Sequence, residues 1–189
     1  VGPKAQVTYV EKHYGEGEGT GEKVLNPVTK IELEEGAVFH LDSAQIGGVD
    51  SSDRKTEVAL GPDAKLYVME KLMTHDNQTA VSDMRVELNG EGSSAQIISR
   101  SVAKGSSRQT FHPIAVGNAL CHAHVQCDSI IMDQAQIGSI PEIVAKDIDA
   151  QIVHEAAIGR INNEQIMKLR TFGLTEAEAE AVIIEDFLA

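Results

Sequence analysis

The chain has 189 residues, 42% of them hydrophobic and 24% charged, and a net charge of −13. That length fits one domain with a small appendage, and the acidic balance argues against a nucleic-acid backbone or an anionic membrane as partner. Two cysteines make no disulfide framework, no segment approaches the ~18 apolar residues of a membrane span, and no signal peptide opens the chain, so a cytoplasmic protein is expected. With four Phe, three Tyr and no Trp, aliphatic side chains must fill the interior.

The chain enters at once on a strand-like run, Gln6-Val7-Thr8-Tyr9-Val10, which leads us to expect a further segment upstream of Val1. A turn-like stretch, an alanine and an alternating apolar run then recur six times, at Ala5, Ala37, Ala64, Ala95, Ala119 and Ala150. Within each unit the period is near two: Leu66 and Val68 alternate with Lys65 and Tyr67, and Val86 and Leu88 with Arg85 and Glu87. Strands in units of this size, with no helical pattern between them, fit the stacked coils of a solenoid; a β-sandwich is the competitor. Gly15–Glu22 is expected to be a loop. Its interleaved glutamates repel phosphate, and no Lys-Ser/Thr follows the glycines. A second loop is expected over Ser101–Gln109.

From Ile161 the period changes to that of a helix. Asn162 or Asn163 can cap a helix through Ile166 and Leu169, and Gly173 stands where a C-cap belongs. Thr175-Glu176-Ala177-Glu178 is a capping box that opens a second helix, with Ala179, Val182, Ile183 and Phe187 on one face. We therefore expect a mainly β core over 1–158 and a two-helix subdomain over 159–189.

The stretch from Val125 onward resembles the SufB/SufD family. The residues that carry the likeness are Gln126-Cys127-Asp128-Ser129, His154-Glu155-Ala156, Ile158-Gly159-Arg160-Ile161, Glu164-Gln165-Ile166, Leu169-Arg170, Gly173-Leu174-Thr175-Glu176 with Glu178-Ala179, and Phe187. The resemblance implies a right-handed parallel β-helix with a small C-terminal helical region, acting as a scaffold on which an iron–sulfur cluster is transiently built. It further implies an ABC-type ATPase partner of the SufC kind docking on the helices, and a homodimer or heterodimer of scaffold chains formed through the β-helices. The combination of Cys127 with His154-Glu155 is nearer to SufB than to SufD. Cofactor-binding residues are then Cys127, His154 and Glu155, and candidates for the partner face are Leu169, Phe172, Leu174, Ile184 and Phe187.

Iron–sulfur ligation favours thiolates, with His or carboxylate as substitutes. Cys127 lies among apolar neighbours, where a buried thiol acting as a small hydrophobe is the ordinary explanation. Adjacent residues of a strand face opposite ways, so His154 and Glu155 serve one centre only if the chain turns there. Cys127 and Glu155 lie 28 residues apart, close to one repeat, which would stack them on neighbouring coils about 5 Å apart. Cys121 shares a face with Cys127 but sits about 20 Å away along a straight strand, while His122 and His124 share a face about 7 Å apart and lack a third ligand. A cluster with four ligands therefore needs a second chain, non-cysteine ligands or an external thiol.

The chain holds no Walker A string, so any ATPase activity is expected in a partner and none in this chain. The alternatives are a SufD-like structural partner without cluster ligands, and a β-solenoid enzyme such as a polysaccharide lyase or hexapeptide acyltransferase. Scarce aromatics count against the lyase, and the long repeat against the acyltransferase.

Overall fold

A computed structural model describes residues 1–15 and 19–189; three residues of the expected Gly/Glu loop, 16–18, lie outside that description. The described strands are β1 (Gln6–Tyr14), β2 (Val24–Leu25), β3 (Val28–Leu33), β4 (Val38–Gly47), β5 (Ser51–Leu60), β6 (Lys65–Thr74) and β7 (Thr79–Leu88). They continue with β8 (Ser93–Ala103), β9 (Arg108–Gly117), β10 (Cys121–Ile131), β11 (Gln136–Ser139), β12 (Glu142–Ala145) and β13 (Gln151–Gly159). The helices α1 (Asn163–Thr171) and α2 (Glu176–Leu188) follow.

The strands alternate between two sheets, with β2–β3 and β11–β12 each forming one interrupted strand of the second, and every recorded pairing is parallel. One sheet runs β1-β4-β6-β8-β10-β13; the other runs β11-β9-β7-β5-β2, with β12 on β9 and β3 on β5. This is a parallel β-helix, as the near-two period and the repeat implied. A sandwich would have brought antiparallel hairpins.

The register explains why the alanine repeat looked uneven. Ala5, Ala37, Ala64, Ser93, Cys121 and Ala150 stack in one column at the entrance to the first sheet. Ala95 and Ala119 each lie two residues from the true position, so the coils are more regular than the alanines indicate. At the opposite corner Asp76, Gly105 and Asp133 stack with positive φ of 53°, 71° and 54°. Asp visits the left-handed region more readily than most residues, and at this corner Asp133 Oδ2 also accepts from the Gly105 amide of the preceding coil at 2.9 Å. The loop expected over Ser101–Gln109 shrinks to residues 104–107. Its polar ends, Ser101 and Gln109, are buried strand residues facing the interior.

The interior divides along each strand. Strands of the first sheet enter with apolar inner residues (Phe39 and Leu41, Leu66 and Val68, Ile97, Val125), which meet Val58, Leu60, Val86 and Leu88 from the second sheet. They leave with polar ones (Ser43, Gln45, Glu70, Ser99, Ser101, Ser129), which face Ser52, Arg54, Ser82 and Gln109. Coils touch closely at the corners. A Cβ on Gly90 would fall inside the backbone of Gly61 and Pro62, two residues that cannot yield without moving a neighbouring coil. Gly90→Ala is therefore expected to cost about 3 kcal/mol and to lower the melting temperature by about 6–12 °C, measured by thermal denaturation.

Both helices begin on capping boxes: Asn162 with Gln165 for α1, and Thr175 with Glu178 for α2. Gly173 follows α1 at φ 96°. The buried face of α2 is Ala179, Ile184 and Leu188, rotated from the expected Ala179, Val182, Ile183 and Phe187. Val182 is exposed, whereas Ile184 and Leu188 pack with Val102 and Met132, flanked by Met73, Ile130, Ile161 and Phe187. Two of the five residues expected to face a partner thus turn inward: Ile184 is buried and Phe187 lies against the same cluster. Leu169 and Leu174 are half-buried, and Phe172 is 74% exposed. No helix among the described residues is long and apolar enough to cross a membrane.

Candidate functional site

Strands β10 and β13 are neighbours in the first sheet, with Val125 opposite His154, Gln126 opposite Glu155 and Cys127 opposite Ala156. The inner face of β10 carries Cys121, Ala123, Val125, Cys127 and Ser129, all buried. On β13 the residues aligned with that face are the even ones, Ile152 and His154. Because a neighbouring strand lies about 4.8 Å away, a side chain two places off in register is within reach. Cys127 Sγ and His154 Nε2 accordingly stand 3.2 Å apart.

Glu155 occupies the other face. It lies beside Gln126, its carboxylate is 3.6 Å from His124 Nε2, and its side chain is 65% exposed. The expected meeting of Cys127 with Glu155 does not occur within the chain. The backbone makes no turn at His154-Glu155; β13 continues to Gly159, and the two residues point opposite ways. The 28-residue spacing had set Glu155 beside Cys127, whereas His154, the other expected ligand on β13, is the residue in contact with it.

The thiol and the imidazole form a neutral pair. Burial pushes the Cys127 thiol above its ordinary value; the nearby hydroxyl of Ser139 offsets part of this, while the charges of Glu70 and Asp128 add to it. The Ser139 hydroxyl makes no hydrogen bond of standard geometry. Burial and the neighbouring His124 lower the basicity of His154. A cysteine nucleophile needs the reverse, a thiolate stabilised beside an imidazolium. What this pair offers is a thiol and an unprotonated ring nitrogen, a donor set for a soft or borderline metal that binds as the thiol proton leaves.

Cys127 also lines a small cavity of about 20 Å³ with Glu70, Ser99, Ser101, Ser129 and Ser139. A second small cavity, sharing Glu70, Leu72 and Ser82, extends toward Arg54 and Gln45. Cys121 belongs to the apolar half, six residues away on the same strand, near Gly117 and Ala150. His122 is exposed on the outer face. Among the described residues no group of three or more His, Cys, Asp or Glu side chains is placed to hold a metal ion.

Sequence reasoning missed a buried charge cluster. Arg54, 5% exposed, bonds to Glu11, which also accepts from Ser43, and Glu70 lies 3.9 Å from the Arg54 Nε. The signal was available in principle: Arg54 shares its alternation with Ser52, Thr56 and Val58, the inward residues of β5.

The last coil leaves β13 at the edge of its sheet and exposes Ile140, Ile143, Val144, Ile148, Val153 and Ile158. Together these features define a parallel β-solenoid with a thiol–imidazole donor pair near an apolar, open-edged end.

Residues 43–187 match the family model described as SUF system FeS cluster assembly, SufBD core domain, and the chain belongs to that family. An iron–sulfur cluster assembly SufBD family protein of Methanocaldococcus jannaschii is 30% identical over 193 residues, covering 100% of this chain and 60% of its own length. One from Pyrococcus horikoshii is 30% identical over 195 residues, covering 100% of this chain and 57% of its own. A third, from Methanothermobacter thermautotrophicus, reaches 37% identity over 114 residues, 58% of this chain and 28% of its own length. The chain thus spans 60% or less of the length of these relatives.

Proposed function

We propose that this chain is a scaffold unit of SUF-type iron–sulfur cluster assembly, holding a nascent cluster as cargo for transfer and performing no catalysis of its own. The observation that carries this reading is the 3.2 Å contact between Cys127 and His154 on the inner face of the final coils. Membership of a family described by iron–sulfur cluster assembly supports it. Cys127 and His154 supply the first ligands from the inner face, and the remaining ones would come from a second chain or an external thiol; Glu155, on the outer face, stands outside that set.

Two further parts of the proposal concern partners. The unpaired edge of β13 and the exposed isoleucines and valines around it suit pairing with another scaffold β-helix, either a second copy or a related chain. Such pairing would complete a ligand set that one chain does not fill. Exposed Phe172, with half-buried Leu169 and Leu174, gives the tail an apolar surface for a SufC-type ABC ATPase in a helix-in-groove mode. We place the protein in the cytoplasm, where free thiols such as these stay reduced.

Anaerobic loading with ferrous iron and sulfide tests the reading. A visible charge-transfer band should form, and the cluster should pass to an apo-ferredoxin added afterwards. A cluster that forms and never transfers would make it a resident centre and overturn the scaffold assignment. The absence of any band would favour the SufD-like structural role.

A further inference from the structure

Helix α2 lies directly behind the wall of the Cys127 cavity. Inner residues 70 and 72 of β6, 99 and 101 of β8, and 127 and 129 of β10 line that cavity. The residues alternating with them on the outer face form two columns: Lys71, Arg100 and Asp128, then Met73, Val102 and Ile130. Lys71 and Arg100 of the first column and all of the second lie beneath or beside α2. Val102, buried although it faces outward, packs with Ile184 and Leu188, with Met73 and Ile130 at its sides.

Polar contacts fasten the same helix to the same strands. Lys71 Nζ donates to the main-chain oxygen of Ala189 at 2.7 Å, and Arg100 donates to that of Phe187 at 3.2 Å. Lys104, just beyond β8, pairs with Glu180 at 3.0 Å. The last turn of α2 contains no basic residue of its own. The cations that complement its carbonyl end come from the β-helix, so docking and helix stability are linked. Each strand thus presents its outer side chains to α2 and its inner ones to the Cys127 cavity, and in a close-packed wall the two faces move together.

We propose that α2 braces the cavity around Cys127: while Lys71, Arg100, Ile184 and Leu188 hold it docked, β6 and β8 stay closed against β10, and its release opens Cys127 to solvent. The proposal rests on the reading of Cys127 as the cargo site and adds how access to it is governed. Any force applied to the helical tail would act on that access. The apolar part of the contact resists release, while the three cationic contacts make it sensitive to ionic strength.

The test is the rate of iodoacetamide modification of Cys127 and Cys121 in the whole, metal-free chain, resolved by peptide mass spectrometry. The variants are Lys71→Gln with Arg100→Gln, and separately Ile184→Asp, which places a carboxylate against Val102 and Met132. Amide exchange over 176–188 reports release of the helix. Release should speed modification of Cys127 by about tenfold or more, as local opening does, while Cys121 in the apolar half stays slow. Unchanged modification of Cys127 in both variants, or equal acceleration of both cysteines, overturns the proposal. Because no cluster enters the readout, failure of cluster loading leaves this result standing, and failure here leaves the scaffold reading intact.

Discussion

Arg54→Ala is expected to cost the protein about 3–5 kcal/mol, the largest stability loss foreseen for a polar residue here, because it leaves buried carboxylates without their cation. On a chain of this length that lowers the melting temperature by roughly 6–20 °C. The two carboxylates are not equivalent. Burial raises Glu11, but the Arg54 charge, together with hydrogen bonds from Arg54 and Ser43 and the His13 ring 3.3 Å away, outweighs it and leaves the group below its ordinary range. Glu70 moves the other way: burial dominates, and the Ser82 hydroxyl and Arg54 offset only part of it. Its Oε2 has no hydrogen-bond partner. Arg54 therefore pairs most closely with Glu11, while Glu70, 3.9 Å from its Nε, is the carboxyl that burial drives toward its protonated form.

The sign of the Glu70 contribution follows. Folded Glu70 holds its proton more tightly than the unfolded chain does, so its contribution falls as pH rises above the ordinary value of 4.5 toward the raised folded one. Glu70→Gln should then be neutral or stabilising near pH 7, with a smaller benefit at pH 4.5. Urea denaturation at the two pH values measures both arms, and marked destabilisation at pH 7 would show that Glu70 is ionised and paired.

The second large effect concerns the cargo site. Cys127→Ala and His154→Ala should each weaken iron binding by about 100-fold or more, since loss of even an outer-shell partner costs 10–100-fold at a metal site. Neither should unfold the chain, because both positions lie at the rim of the polar half and next to a small cavity. Glu155→Ala should behave differently. It leaves the Cys127–His154 contact untouched and removes only an exposed outer-face carboxylate, so iron binding stays within about threefold. Iron titration under argon with the three variants separates these outcomes. Equal losses in all three would place Glu155 in the inner set.

The fold was largely legible because a two-residue period and a recurring turn survive any uncertainty in register. The tail was legible because capping boxes are local chemistry, and Thr175 with Glu178 formed as the spacing required. Register was harder. The repeat at this end is 29 residues, from Cys121 to Ala150, whereas the spacing of 28 from Cys127 to Glu155 looked like one turn. A slip of one residue moves every side chain of a strand to the opposite face: the true register sets Ala156 opposite Cys127, which turns His154 inward and Glu155 outward. The alanines invited that slip: Ser93 and Cys121 fill their column in two coils, since any small residue satisfies the corner. The face of α2 was hidden for a different reason. Its sequence is apolar over Ala181–Ile184, and only the opposing Met73–Val102–Ile130 column selects which side is buried. Arg54 escaped notice because a charged residue on an alternating strand is ordinarily assigned to solvent.

The central claim is that the inner pair, Cys127 with His154, holds the cargo. The most direct measurement is pulsed electron paramagnetic resonance on the reduced, cluster-loaded chain carrying ¹⁵N-histidine, comparing the parent protein with His154→Gln. The account predicts a directly coordinated imidazole nitrogen in the parent that disappears in the variant. A nitrogen coupling that survives the substitution would move the cluster to the outer face, beside His124 and Glu155, and contradict the account.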